Sequence, residues 1–354
     1  MRRPSALLAT AALSASLFVV PGTAHADATD VSPALGVTLD KQATTITAQL
    51  APGLTVVPST AVTIRGRVLR QDPTGPVPAA GAEVQVDVPD EINGPGGTTR
   101  VQTSADGTFR AFFVAGQQLG KSGTVTARVL ENDVLTGSQV SLGTVSIRNS
   151  SEITGFNAFP EPLAYRDSIV VHGRLDVRPD FTNVANLPVY LEYSLDGKTW
   201  KVWATQTLAR PANFYFNAET PVTKDAYWRV RYPGSDLTMP AISNVDFVDV
   251  KYRTQWYDFN VSPEPVKKGG VITVKGRLYR FRDVAGPGPN APVYVYFQRA
   301  GTSTWTQMAA TKTDANGWFS KTFKASVDGT WKAVYKETSG YLGSTSQGDA
   351  VDVR

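Results

Sequence analysis

The chain has 354 residues, a formal net charge of +4 and no cysteine. The absence of cysteine excludes thiol catalysis, cysteine-ligated zinc and covalent haem attachment. Because 35 basic residues nearly balance 31 acidic ones, the whole-chain charge says little about partners, and only its local distribution is informative.

The N-terminus has the three parts of a secretory signal peptide. Arg2 and Arg3 precede an apolar run over residues 6–20, and Ala24-His25-Ala26 has the small-x-small pattern of a cleavage site. The alternative, a retained membrane anchor, would need a longer apolar run. We therefore expect cleavage after residue 26 and an extracellular protein without a transmembrane segment, soluble or noncovalently associated with the cell wall. An exported protein is not expected to bind nucleic acid.

One sequence pattern recurs three times along the chain. AVTIRGRVLR, SIVVHGRLDV and VITVKGRLYR begin at Ala61, Ser168 and Val271. The second and third copies also share a Pro-Glu-Pro triplet, a Thr-Trp pair and a closing Val-Asp-Val at nearly constant spacing. The repeat predicts three domains after the signal peptide: domain 1 (27–149), domain 2 (150–250) and domain 3 (251–354).

Each repeat has the pattern of a small all-β domain. Apolar residues alternate with polar ones, and turn pairs such as Asp196-Gly197 and Asn316-Gly317 separate the runs. About seven short strands in about 100 residues are typical of an immunoglobulin-like sandwich. The predicted fold is all-β, with three tandem immunoglobulin-like β-sandwich domains. Domain 1 is the most diverged, and its extra segment over residues 27–50 is either an added strand or a loose arm.

A glycine interrupts the core-facing side of the repeated strand. Gly66, Gly173 and Gly276 stand where a buried side chain is expected. One hypothesis is that the glycine makes room for a neighbouring core tryptophan, Trp331 in domain 3. The other is that a β-bulge occurs at Gly276.

Five segments resemble the immunoglobulin-like repeats of secreted actinobacterial proteins. They are the G-R-[LV] strand, PVYVYFQ followed by Thr-Trp, TDANGWFS, DGTWKAVY and the closing Val-Asp-Val. The resemblance covers residues 150–354 well and 27–149 less well. It implies a secreted, non-enzymatic module for adhesion, spacing or ligand binding. It implies no catalytic residue.

The residues themselves offer little for catalysis. After removal of the signal peptide, His172 is the only histidine, and it aligns with outward-facing Arg65 and Lys275. Carboxylates in the loop from Asp87 to Gly97 form no evident cleft, although the loop could bind calcium, and Asp314 to Gly317 is a hairpin turn rather than a calcium loop. We predict no catalytic, cofactor-binding or metal-binding residue.

Aromatic and basic residues give the better functional signal. Domain 3 holds fifteen Lys and Arg against eight Asp and Glu, and three tryptophans lack a counterpart in the other repeats. The structural alternative is that Trp256 covers a domain junction and the charges only solvate the surface. The candidate ligand-binding residues are Trp203, Trp256, Tyr257, Trp318, Lys251, Arg253, Lys267, Lys268, Arg280 and Arg282.

These observations favour a monomeric binding or structural protein at the cell envelope. In the leading hypothesis domain 3 contacts an anionic cell-wall polymer through its lysine and arginine side chains. In the alternative the unmatched tryptophans bind carbohydrate by stacking. Another surface protein remains a third possible partner.

Overall fold

The structure is a computed structural model that describes residues 40–94, 97–179, 184–217 and 221–354. The predicted signal peptide and residues 27–39 lie outside the described residues. Within these ranges the chain forms strands and turns without a helix, so the all-β prediction is confirmed. The chain divides into two compact units, Met1–Asn149 and Ser150–Arg354.

The first unit contains one sandwich, that of domain 1. Its strands are β1 (Thr44–Ala51), β2 (Thr55–Val56), β3 (Ala61–Asp72), β4 (Gly75–Pro78), β5 (Glu83–Asp87), β6 (Thr99–Gln102), β7 (Thr108–Val114), β8 (Ser122–Val129) and β9 (Ser138–Ile147). In one sheet β3 pairs with β1 along one edge, and along the other edge first with β7 and then with β4. The other sheet has the order β2-β9-β8-β5-β6. Residues 44–50 of the extra segment thus belong to β1, the first strand of the sandwich.

The second unit begins with domain 2. Its strands are β10 (Ser150–Phe159), β11 (Leu163–Ala164), β12 (Val170–Arg178), β13 (Leu187–Ser194), β14 (Lys201–Leu208), β15 (Asn213–Asn217), β16 (Ala226–Tyr232), β17 (Ala241–Ile242), β18 (Asp246–Val248) and β19 (Val250–Lys251). The sheet β10-β12-β15 lies on one side of the core, and β14-β13-β16 with β17 and β18 on the other. A short parallel pair joins β11 to β19.

Domain 3 repeats this arrangement in the same unit. Its strands are β20 (Arg253–Ser262), β21 (Val271–Phe281), β22 (Ala285–Pro287), β23 (Pro292–Arg299), β24 (Trp305–Lys312), β25 (Trp318–Lys324), β26 (Gly329–Tyr335), β27 (Ser344–Thr345) and β28 (Asp349–Val351). Here β21 pairs with β20, β25 and β22, whereas β23 and β26 lie at the centre of the other sheet.

The strand order differs from that of an antibody constant domain in one respect. In the antibody arrangement four strands, ABED, face three, CFG. In each sandwich here the strand that follows the C strand (β6, β14 or β24) pairs with the CFG side instead. One sheet therefore consists of three main strands, and we call it the three-stranded sheet. Its outer face is open to solvent in domain 3.

The repeated glycine lies opposite a phenylalanine in all three domains. The cross-strand pairs are Gly66 with Phe109, Gly173 with Phe214 and Gly276 with Phe319. A Cβ on Gly173 would lie 2.4 Å from the Phe214 ring. The glycine accommodates a phenylalanine of the neighbouring strand, so the hypothesis that it accommodates a tryptophan is wrong.

A β-bulge is present beside this glycine, but not in its own strand. The register of β20 against β21 shifts between Tyr257 and Asn260, with Asp258 at φ 51°. As a result both Trp256 and Phe259 pack on the core, which breaks the alternation of the strand. The prediction of a bulge at Gly276 is wrong in position. β10 carries the same kind of shift, whereas β1 does not.

Candidate functional site

The predicted ligand-binding residues are divided among different environments. Some lie where domains 2 and 3 meet, some on the outer face of a sheet, some in the cores and some on the open surface of domain 3. Lys251, Arg253, Arg280 and Arg282 lie where the two domains meet, and Tyr257 and Trp318 lie on the outer face of a sheet. Trp203 and Trp256 belong to the cores, and Lys267 and Lys268 lie on the open surface of domain 3.

The passage from domain 2 to domain 3 is hydrogen-bonded on both sides. The N–H of Tyr165 donates to the carbonyl of Lys251 at 2.8 Å, which extends the pairing of β11 with β19. The next residue, Tyr252, donates to Gly340 at 3.0 Å and accepts from Leu342 at 2.9 Å. Consecutive residues of the connection are therefore fixed first to domain 2 and then to domain 3.

Three tyrosines pack against one another across this junction, with their rings tilted by 41–48°. The ring centroids of Tyr165 and Tyr252 lie 4.7 Å apart, and those of Tyr252 and Tyr341 lie 5.8 Å apart. Arg282 donates from Nε to the Tyr341 hydroxyl at 2.6 Å, and the Arg280 guanidinium lies 4.4 Å from the centre of the same ring. Both arginines thus pack against aromatic rings of the junction.

Ion pairs connect the same two domains. Asp283 of domain 3 accepts from the Tyr165 hydroxyl at 2.7 Å and from Arg166 at 3.0 Å. Arg253 reaches back to Asp167 at 2.5 Å. The hydrogen bond to Asp283 raises the pKa of Tyr165 above its ordinary value.

Lys251 is a buried cation at the base of the junction. Its ammonium lies 2.6 Å from Glu337 and 2.9 Å from Asp249. Burial disfavours the charged form, but the hydrogen bonds to Glu337 and Asp249 outweigh it, so the pKa of Lys251 is raised. This placement differs from the expected exposed basic surface, because the charge of Lys251 is neutralised within the protein.

Two of the suspected tryptophans belong to the cores. Trp203 packs edge-on against Trp228, with ring centroids 5.2 Å apart. Trp256 is 9% exposed and donates from Nε1 to the carbonyl of Ser344 at 3.2 Å. Trp256 therefore neither covers the junction nor lies open to a ligand.

Tyr257 and Trp318 come together with two residues that sequence reasoning missed. On the outer face of the three-stranded sheet of domain 3, Arg277 lies directly between them, opposite Tyr257 in β20 and opposite Trp318 in β25. The guanidinium of Arg277 lies 4.8 Å from the ring centre of Tyr279 and 5.7 Å from that of Trp318. We call Tyr257, Arg277, Tyr279 and Trp318 the aromatic face.

The side chains of the aromatic face remain accessible to solvent. Tyr257 is 39% exposed, and its ring meets that of Tyr279 edge-on at 5.0 Å. Arg277, Tyr279 and Trp318 are half-buried. The signal that could have located the cluster is the alternation of β21, which turns Arg277 and Tyr279 outward while Gly276 and Leu278 turn inward. The missing information was the register of β21 against β25.

The two remaining predicted lysines and the single histidine of the predicted mature chain lie on the surface. Lys267 and Lys268 are exposed and form no ion pair with the residues that the structure describes. His172 is exposed on the outer face of domain 2, 5.5 Å from the Phe159 ring centre and opposite Tyr215. Among the described residues no group of three or more His, Cys, Asp or Glu side chains could hold a metal ion.

The aspartates of the hairpin turns bind the backbone of their own turns. Asp314 accepts from the N–H of Asn316 at 2.9 Å and of Trp318 at 2.8 Å. In domain 1, hydrogen bonds from Ser104 first and then from Thr108 lower the pKa of Asp106 to about 2. The prediction of a turn at Asp314 fits these contacts, because its Oδ1 accepts from two backbone N–H groups of its own turn.

No family model and no curated protein matches this chain. Solved structures show a distant likeness. The chain is similar to latent PorU from Porphyromonas gingivalis (12% identity, 87% of this chain and 34% of that one, TM-score 0.21), to titin domains A168–A170 (10%, 88% and 99%, 0.30) and to the N-terminal domains of the Hoc capsid protein of bacteriophage RB49 (13%, 88% and 99%, 0.30). The chain thus spans about a third of PorU.

These likenesses indicate no particular activity. In the part of the chain that the structure describes, no helix has the length and apolar character needed to cross a bilayer.

Proposed function

We propose that this chain is a secreted, non-enzymatic protein that binds a polysaccharide at the cell envelope, with the aromatic face of domain 3 as its contact surface. A sugar ring has an apolar face of C–H groups, and a partly exposed indole or phenol ring gives it a complementary surface with little side-chain entropy to lose. Trp318 and Tyr257 supply such rings, and Arg277 supplies hydrogen-bond donors between them.

The observation that carries the proposal is the difference between the three domains at this row of the sheet. The central arginine is present in each: Arg67, Arg174 and Arg277. Its neighbours in domain 1 are Thr47 and Thr108, in domain 2 Thr154 and Asn213, and in domain 3 Tyr257 and Trp318. Only domain 3 places aromatic rings there, so the rings are not required to complete the sandwich.

Contact with an anionic polymer through the predicted lysine and arginine residues has less support. Lys251 and Arg253 are engaged with carboxylates, and Arg282 with a tyrosine hydroxyl. Arg280 donates to the carbonyl of Pro289. Lys267 and Lys268 are the members of that group whose side chains form neither an ion pair nor a hydrogen bond with a described residue, and both are exposed. Two surface lysines offer a weak and salt-sensitive attraction.

The experiment is native affinity electrophoresis of the full secreted chain in gels that contain defined neutral and acidic polysaccharides. We expect at least one polysaccharide to retard the protein, and we expect Trp318→Ala and Tyr257→Ala each to weaken retardation several-fold. The matched control is Tyr215→Ala, because Tyr215 is 58% exposed on the corresponding sheet of domain 2.

Salt separates stacking from charge attraction. Retardation by a neutral polysaccharide should persist at about 1 M salt, where charges are screened beyond about 3 Å. Retardation that disappears in salt and is abolished by replacing Lys267 and Lys268, but not Trp318, would contradict the proposal. Retardation by none of the polysaccharides would contradict it as well and leave a spacer or protein-binding role.

A further inference from the structure

Arg277 differs from the equivalent arginine of domain 2 in how its charge is satisfied. In domain 2, Arg174 donates from Nε to Asp176 at 2.7 Å and from Nη1 to Asn213 at 3.3 Å. Asp176 is held in turn by the hydroxyl of Thr154 at 3.2 Å. The guanidinium of domain 2 is therefore neutralised by a carboxylate two residues along its own strand.

In domain 3 each of these three partners is replaced by an aromatic residue. Tyr279 stands in place of Asp176, Trp318 in place of Asn213, and Tyr257 in place of Thr154. The arginine is kept while its neutralising acid is absent.

The contacts of Arg277 leave part of its guanidinium available. Its Nε donates to the carbonyl of Asn316 at 2.9 Å, the same turn contact that Arg67 makes with Asp106 in domain 1. No carboxylate among the described residues lies within ion-pair distance of Arg277, and no described acceptor receives a hydrogen bond from its two Nη groups. The guanidinium carbon lies 4.8 Å from the ring centre of Tyr279 and 5.7 Å from that of Trp318.

We infer that the aromatic face takes a sugar that carries a carboxylate, a uronic acid unit of an acidic polysaccharide, and that Arg277 binds this carboxylate. The inference rests on the proposed function and specifies its ligand. A planar guanidinium with free Nη donors suits the two oxygens of a carboxylate. A uronic acid bears that carboxylate on the ring itself, so a ring stacked on Trp318 or Tyr257 brings the charge to the neighbouring arginine.

The charge around the face agrees with an acidic ligand. Lys275 is exposed in the next row of the same strand, opposite Asn260 and Ser320, and Lys324 is exposed at the far end of β25, opposite Val271. A linear polyanion without sugar rings, such as a poly(glycerol phosphate), would use the charges but not the rings. The aromatic substitutions therefore favour the uronic acid polymer.

The test compares two polymers that differ only in charge. Polygalacturonate and its methyl ester share a backbone, and the ester removes the carboxylate charge. We expect the full secreted chain to bind polygalacturonate about tenfold or more tightly than the ester, the usual magnitude of a charge-assisted contact. Equal binding of the two polymers would overturn the carboxylate inference and leave the proposed function intact, whereas binding of neither would count against both.

Two variants assign the preference to Arg277. Tyr279→Asp restores the acid of domain 2 beside the arginine, and Arg277→Gln removes the charge. Each should reduce the preference to within about twofold while binding of the methyl ester persists, and Trp318→Ala should weaken binding of both polymers. Arg174→Gln in domain 2 is the matched control and should leave the preference unchanged.

A polyanion control excludes a general charge effect. Dextran sulfate carries strong charge without a ring carboxylate. If dextran sulfate binds as tightly as polygalacturonate and Arg277→Gln weakens both equally, the site is a general anion site and the inference is wrong. Intrinsic fluorescence of the tryptophans establishes that each variant is folded, and an unfolded Tyr279→Asp protein leaves Arg277→Gln as the deciding variant.

Discussion

Replacement of the repeated glycine by alanine should destabilise the three domains to different degrees. A Cβ on Gly66 would lie 2.4 Å from the Phe109 ring and 2.4 Å from the backbone oxygen of Thr47. On Gly173 the three nearest atoms all belong to the Phe214 ring, the first at 2.4 Å. On Gly276 the first contact is 3.1 Å. The close approach of the Thr47 oxygen is confined to domain 1, where β1 lacks the bulge that β10 and β20 carry beside the glycine.

These distances set the expected magnitudes. Overpacking of a rigid core costs about 1–3 kcal/mol, occasionally more. We place Gly66→Ala at about 3 kcal/mol or above, because a backbone oxygen cannot move aside as a ring can. Gly173→Ala should cost about 2 kcal/mol, since the Phe214 ring must shift. Gly276→Ala should stay within about 1 kcal/mol of the parent, because alanine also restricts the unfolded chain.

The assay is urea unfolding of the full chain, with a different probe for each unit. All tryptophans lie in domains 2 and 3, so fluorescence reports Gly173→Ala and Gly276→Ala. Gly66→Ala needs hydrogen exchange of the peptides that cover β3 and β7. Combining Gly173→Ala with Phe214→Leu should cost less than the sum of the two changes. An unchanged stability of Gly173→Ala, or strict additivity with Phe214→Leu, would refute the packing explanation.

Three further changes test the electrostatics. Glu192→Ala leaves Arg229 and Arg231 without the buried carboxylate that both contact and should cost domain 2 about 2–3 kcal/mol in urea unfolding; a loss below about 0.5 kcal/mol would show that water replaces the carboxylate. Asp106→Asn should lower the melting temperature of domain 1 at pH 7. Because the folded pKa of Asp106 is lowered, the difference should shrink as pH falls from about 4 towards about 2, and a pH-independent difference in calorimetry would contradict it. Lys251→Met should lower the free energy of unfolding by about 1 kcal/mol. Because the folded pKa of Lys251 is raised, this loss of stability should persist up to about pH 10 and decline only above it. Equal stability of the two proteins at pH 7 would contradict the ion-pair assignment.

The fold could be predicted because each of its signals is local. Alternation in VITVKGRLYR gives an outward and an inward face, and the observed burial of β21 follows it from Val271 to Leu278. The Asn316-Gly317 pair forms the expected turn, with Gly317 at φ 80°. Such signals depend only on neighbouring residues, and the threefold repeat shows each pattern in three copies.

The junction could not be predicted, because its contacts join distant parts of the chain. Tyr165 and Asp283 are 118 positions apart, and nothing near either residue marks the other as its partner. Lys251 and Arg253 therefore looked like free charges of a basic domain. Local composition counts charge but does not show which charges are neutralised by partners elsewhere.

The candidate tryptophans illustrate a second limit. An aromatic residue without a counterpart in the other repeats can be unmatched because it binds a ligand or because the local backbone differs. Trp256 is the second case: the bulge in β20 places both Trp256 and Phe259 in the core. Trp318 remains on the outer face because β25 pairs with β21 without interruption.

The position of Arg277 combines both considerations. An arginine between Tyr257 and Trp318 could serve only the turn, through the Asn316 carbonyl, and the equivalent arginine of domain 1 makes the same kind of contact without aromatic neighbours. The turn therefore explains the arginine but not the rings. Nor does packing explain them, since the sandwiches of domains 1 and 2 are complete with threonine and asparagine at these positions. The proposed ligand accounts for partly exposed rings around an arginine without an ion-pair partner, because it brings both an apolar face and a negative charge.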